Sequence, residues 1–165
     1  YTASLAFSGS DGTTEVGNTE SYNGTNWTEV NDMNTGRAIL AGVGTSTSTL
    51  GFGGNPVTGK TETWNGTNWT EVNNLNTARR SLAGLGIQSA ALALAGYSTT
   101  QVSLTEEWNG ASWSEVGDLN TSRSGPGASG TTTNGLAFGG ESPPASAATE
   151  EWSSSSTLTK TVDAS

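Results

Sequence analysis

The sequence predicts an all-β fold assembled from tandem four-stranded units. The first observation behind this is a repeat. Tyr22–Leu40 reads YNGTNWTEVNDMNTGRAIL, Trp64–Leu82 reads WNGTNWTEVNNLNTARRSL, and Trp108–Pro126 reads WNGASWSEVGDLNTSRSGP; a fourth copy starts at Trp152 and decays into SSSSTLTKTV. The leading aromatics at 22, 64, 108 and 152 are 42, 44 and 44 residues apart. Repeats of this length, rich in Gly and Trp, point to propeller blades. The second observation is an Asn-Gly pair between two short runs in each of the first three copies, the sequence mark of a β-hairpin. The third is that no stretch carries the apolar stripe of a helix, and Pro is scarce.

Each unit divides into four strand-like pieces in order. The first is small and apolar, as in Arg79-Arg-Ser-Leu-Ala-Gly-Leu-Gly. The second ends in a glycine pair or its relic: Leu50–Gly54, Leu92–Gly96, Leu136–Gly140 and, at the N-terminal end, Leu5–Gly9. The third is Thr61–Trp64 and the fourth Trp69–Val72. Between them the Asn-Gly pairs at 23–24, 65–66 and 109–110 supply the positive φ of a tight turn. The aromatics on either flank, such as Trp64 and Trp69, are expected to meet across the strands or to pack on the next unit. The units span approximately 1–36, 37–78, 79–122 and 123–165. The first opens in a second strand at Leu5, and the last ends in a degenerate fourth strand at Thr157–Val162, which reads as a capping end. The first unit therefore lacks its inner strand and exposes an unpaired edge. Further blades of the same chain, or a homo-oligomer, are expected to complete it.

This order of apolar strand, glycine pair, variable loop, aromatic, turn, Trp, polar strand and Asn-Thr-x-Arg resembles the kelch repeat. The resemblance covers nearly the whole chain and rests on the spacing and on the joint presence of glycine pair and Trp. It implies a kelch-like β-propeller of about four blades of four antiparallel strands, the first lacking its inner strand. The glycine doublet would end the second strand, and the Trp would open the fourth, outer strand. The Tyr usual in the third strand is Trp in three of four copies. The near-identical, Asn/Thr-rich copies also resemble in style the tandem repeats of tailed-phage and marine viral structural proteins. That implies a virion or an extracellular, cell-surface setting.

Composition narrows the chemistry. With 165 residues the chain is long enough for one real core, although only 32% of it is hydrophobic. Cys and His are absent, which excludes disulfides, thiol nucleophiles, zinc fingers and imidazole bases. A net charge of −9 opposes nucleic acid and anionic membranes as partners. No apolar run reaches membrane-spanning length, so membrane insertion is not expected. No metal or organic cofactor is expected, because soft ligands and carboxylate clusters are missing.

The leading site candidates are Arg37, Arg79 and Arg123, each following Asn-Thr-x at the same phase of its repeat. The chain has only six basic residues, and three of them hold this slot. By the resemblance, the slot lies where an outer strand crosses to the next inner strand, beside the central channel. Guanidinium forks there could hold carboxylates or sugar acids. The alternative is that each Arg pairs with a Glu of its own protein, such as Glu29, Glu71 or Glu115. The second candidates are the loops after the glycine pair, Ser10–Thr19, Asn55–Thr61, Tyr97–Thr105 and Glu141–Thr149, which vary on a constant frame. Tyr97, which opens one of them, joins the Arg series as a ligand-binding candidate. The repeated Trp residues read as packing. Asn-x-Thr/Ser sequons occur at Asn23, Asn26, Asn65, Asn68 and Asn120.

Enzymatic readings fare poorly on these residues. Galactose-oxidase-like copper chemistry needs His and a crosslinked Cys. The sialidase aspartate box is only loosely matched by Ser8-Gly-Ser-Asp-Gly-Thr, which then fails at its aromatic. Glu106-Glu107 and Glu150-Glu151 are strand neighbours facing opposite ways, so neither pair makes a two-carboxylate site. Asp11 alone is too little for calcium. The expectation is a non-enzymatic, virion-associated or cell-surface module that presents variable loops to a glycan or an acidic protein surface. Two alternatives stand beside it: part of a glycan-active propeller with catalytic residues in other blades, and a purely structural, fibre-forming repeat.

Overall fold

The computed structural model describes residues 2–141, 145, 147–154 and 156–162, the last stretch as backbone only. Among the described residues there is no helix, and the strands form four antiparallel sheets. The first sheet has three strands: β1 (Ser4–Ser10), β2 (Glu15–Tyr22) and β3 (Trp27–Val30). The second has β4 (Ala41–Thr45), β5 (Ser48–Phe52), β6 (Thr61–Trp64) and β7 (Trp69–Val72). The third has β8 (Ala83–Ile87), β9 (Ala90–Leu94), β10 (Thr105–Trp108) and β11 (Trp113–Glu115). The fourth has β12 (Gly127–Gly130), β13 (Asn134–Phe138), β14 (Thr149–Ser153) and β15 (Ser156–Val162). Within every sheet the strands pair in chain order. Short loops permit only neighbours in sequence to become neighbours in space.

The repeat thus maps onto the sheets one to one, and β1 takes the place of β5. The first sheet has three strands where the others have four, as the missing small apolar segment predicts. One boundary differs from the sequence reading. The segment Ser10–Thr19 is not a loop, because β2 begins at Glu15 and pairs back on β1. Only residues 11–14 turn the chain. Asp11 Oδ1 accepts the amides of Thr13 and Thr14, both at 2.8 Å. Those amides, Thr14 first, hold the exposed Asp11 carboxyl below the usual carboxylate range. A depressed folded-state pKa means the turn's carboxylate bonds are complete above the ordinary aspartate pKa. They are lost only as pH falls through the lower folded value. In an NMR acid titration, the Thr13 and Thr14 amides are expected to hold their shifts through mild acid and move only below the ordinary aspartate range. Movement at the unperturbed aspartate midpoint would contradict this.

The Asn-Gly hairpins carry four-residue loops rather than two-residue turns. Trp64 pairs with Trp69, and Asn65 N–H donates to Asn68 O at 3.3 Å. Only the glycine is left-handed, with Gly66 at φ 92°. The Asn instead uses its side chain: Asn65 Oδ1 accepts the amides of Thr67 at 2.9 Å and Asn68 at 2.8 Å. Asn23 and Asn109 do the same in their own loops. Gly66→Val is therefore expected to cost on the order of 1 kcal/mol or more through the disfavoured φ alone. Equal melting temperatures for variant and parent would refute it.

The core lies between sheets, where the repeated aromatics interlock. Trp64 and Trp69 meet across their hairpin at 5.5 Å, and Trp108 and Trp113 at 5.4 Å. Each fourth-strand Trp also reaches the preceding sheet: Trp69 packs on Phe7 and Trp113 on Phe52, both at 4.9 Å. Their indole N–H groups donate to Thr19 Oγ1 at 3.0 Å and Thr61 Oγ1 at 3.1 Å. The first strands of the second, third and fourth sheets run side by side, β4 against β8 and β8 against β12. Small residues make this approach possible. A Cβ on Gly84 would stand 2.8 Å from Phe52 Cζ and 3.0 Å from Val43 Cγ1. Beside β1, the edge strand of the first sheet, a groove of about 310 Å³ opens, lined by Leu5, Phe7, Val43, Thr45 and Thr49.

Candidate functional site

The Asn-Thr-x-Arg segments join one sheet to the next, and their chemistry is turned inward. Arg37, Arg79 and Arg123 are fully buried. Arg79 Nη1 makes a short contact with Glu106 Oε1 and donates to Thr77 O at 3.0 Å; Nε donates to Ala95 O at 3.0 Å and Nη2 to Ala93 O at 3.1 Å. Arg123 pairs in the same way with Glu150 and donates to Gly139 O at 3.0 Å and Ala148 O at 2.9 Å. Arg37 lies 3.4 Å from Glu62 and donates to Gly51 O at 3.3 Å, but its Nε and Nη1 have no partner among the described residues. Burial pushes this guanidinium below the ordinary arginine range, opposed by the charges of Glu62 and Glu71.

The same segments grip the acids from a second side. Glu62 Oε2 accepts from Asn34 N at 2.8 Å and Nδ2 at 2.9 Å, and Asn34 Nδ2 also reaches Trp69 O at 3.1 Å. Glu106 Oε2 receives Asn76 at 2.7 and 2.9 Å, and Asn76 Nδ2 reaches Trp113 O at 3.1 Å. Asn120 N–H donates to Glu150. A buried carboxylate is tolerable only when paired and hydrogen-bonded, and each motif supplies both the charge and the donors.

This corrects the expectation that Arg37, Arg79 and Arg123 line an open ligand site. They are closed to solvent and spent on internal acids. The partners are also not Glu29, Glu71 or Glu115 but Glu62, Glu106 and Glu150, all fully buried in the third strands of the second, third and fourth sheets. The signal that could have found them is the recurrent Thr-Glu-x-Trp, which holds a constant phase to the Arg. Glu20 occupies the same slot in the first sheet, with no Asn-Thr-x-Arg segment before it in the sequence, and is exposed. The faces of Glu106-Glu107 and Glu150-Glu151 alternate as expected: the first member of each is buried, and the second is half-buried or exposed.

The loops after the glycine pairs do lie beside the Arg crossovers. Ala38 bridges to Asn55, Arg80 to Tyr97 and Ser124 to Glu141. Gly9, Gly54 and Gly96 donate to the carbonyls of Arg37, Arg79 and Arg123, at 3.1, 3.0 and 2.9 Å. One backbone frame therefore carries loops of unlike sequence. Of the fourth loop, residues 142–144 and 146 lie outside the described residues. Tyr97 is half-buried, with the Arg80 guanidinium 5.1 Å from its ring centre. Nearby, Ser81, Ser124, Gly125, Gly140, Glu141 and Ala145 line a shallow groove of about 330 Å³. Tyr97, Arg80 and this groove together offer an aromatic ring, a guanidinium, hydroxyls and one carboxylate.

Among the described residues, no group of three or more His, Cys, Asp or Glu is placed to hold a metal ion. No family model matches the chain, and no curated protein matches it either.

Proposed function

We propose that the chain is a segment of a kelch-like β-propeller acting as a non-enzymatic structural and binding module of a virion or cell surface. Its loop edge presents Tyr97, Arg80 and the Ser81–Ser124–Glu141 groove to a neutral, hydroxyl-rich glycan. The observation that carries this reading is a division of labour within the repeat. The recurrent Arg residues and the Glu residues that pair with them are consumed inside the scaffold, while the loops that differ are held by recurrent backbone bonds at one edge. Variable loops on a rigid frame suit recognition. The four-stranded units, the glycines after the second strand and the Trp opening the fourth support the kelch-like assignment.

A neutral ligand is favoured over an acidic one by charge. Three of the six basic residues are buried in ion pairs and Lys60 lies 3.6 Å from Glu71, so at this edge Arg80 alone would attract an anion, against a net charge of −9. An aromatic ring beside hydroxyl and carboxylate groups fits sugar hydroxyls instead. The test is a glycan array probed with the parent chain, Tyr97→Ala and Glu141→Gln. Binding of a neutral glycan weakened about tenfold or more by Tyr97→Ala, roughly the loss of one good contact, is expected. Absence of any bound glycan, or binding indifferent to both changes, would refute the loop-edge site.

A further inference from the structure

Two surfaces of the chain look like the separated halves of a contact that it makes twice internally. Where the first sheet meets the second, Phe7 packs on Trp69, whose indole donates to Thr19. Where the second meets the third, Phe52 packs on Trp113, whose indole donates to Thr61. Each contact takes a Phe and a Thr from the earlier sheet and a Trp from the later one. Phe138 and Thr149 hold the Phe and Thr positions in the fourth sheet, and Trp27 holds the Trp position in the first. These copies are uncovered. Trp27 is 49% exposed, Phe138 43% and Leu136 41%, whereas Trp69, Trp113, Phe52 and Leu50 are buried.

We propose that the fourth sheet of one copy docks on the first sheet of a second copy, with Phe138 against Trp27 and Thr149 accepting the indole N–H. The occupant is argued from the interface itself: the two faces have complementary roles rather than identical ones, and the partner chemistry each needs is present on this same chain. Large exposed aromatics that form a patch mark association surfaces, and Trp is the commonest anchor of such contacts. Because the halves differ, the contact is head-to-tail and can repeat, producing closed rings or open filaments. The proposal is independent of whether the loop edge binds a glycan.

Sedimentation of the 165-residue chain from micromolar to millimolar concentration tests it. The parent is expected to associate progressively. Trp27→Ala and Phe138→Ser are each expected to stay monomeric, since each removes one half of every contact. An equimolar mixture of the two variants is expected to form dimers and stop there, because one intact Phe138 can still meet one intact Trp27. Circular dichroism matching the parent confirms that each variant is folded; Leu136→Ser replaces Phe138→Ser if that variant is not. Three results would overturn the proposal. These are a parent that is monomeric at every concentration, including a monomer whose fourth sheet closes on its own first sheet; either variant associating like the parent; and a mixture that remains monomeric.

Discussion

Arg79→Met is expected to lower the unfolding free energy by about 3–5 kcal/mol, the cost of leaving one member of a buried ion pair without its partner. Glu106 would be left fully buried with only Asn76 and the Thr77 amide to meet its charge. The carbonyls of Thr77, Ala93 and Ala95 would lose their guanidinium donors as well. A domain's whole stability is about 5–15 kcal/mol, so the variant should unfold at much lower urea than the parent. Two comparisons make the mechanism visible. The double change Arg79→Met with Glu106→Leu should recover part of the loss, since no unpaired charge remains. Arg37→Met should cost less than Arg79→Met, because among the described residues Arg37 already leaves Nε and Nη1 unpartnered. A urea midpoint shifted by no more than an ordinary surface change, within about 0.5 kcal/mol, would mean that the pair is not buried as described.

Trp113→Ala is the second large effect, expected at about 3–5 kcal/mol for truncating a buried aromatic. The ring packs on Phe52 from the neighbouring sheet and on Trp108 across its hairpin, and its indole satisfies Thr61 Oγ1. The change opens a void between the second and third sheets and leaves a buried hydroxyl without its donor. Thermal melting should show a drop of many degrees. Trp27→Ala, at the same repeat position, should scarcely alter the melt of the monomer, because that ring is half exposed. Equal losses at the two positions would show that the sheets do not pack in the order described.

The local architecture was legible because its causes are local. Alternating short runs, Asn-Gly loops and glycine pairs act over a few residues, so the strands Thr61–Trp64 and Trp69–Val72 and their pairing followed from the sequence. The loop form was not, because Asn65 could serve either by adopting a left-handed backbone or by capping with its side chain. That choice depends on which amides the next residues leave free.

The sequence admits internal pairing of the Arg series, but it does not show which Glu each Arg meets, for a reason of distance. Arg79 and Glu106 are 27 residues apart, and sequence phase shows that both recur without showing that they meet. A repeated cation invites the idea of an open ring; only the packing of the crossover onto its own sheet turns it into a buried clamp. The clearest division between the two levels is the segment Asn-Gly-Thr-Asn-Trp-Thr-Glu-Val, identical at 23–30 and 65–72. Both copies form the same hairpin, since turn chemistry and strand alternation travel with the residues. Their fates differ in packing: Trp69 is buried against Phe7 while Trp27, beside Tyr22, stays half exposed, because burial belongs to the neighbouring sheet and not to the segment that carries the ring.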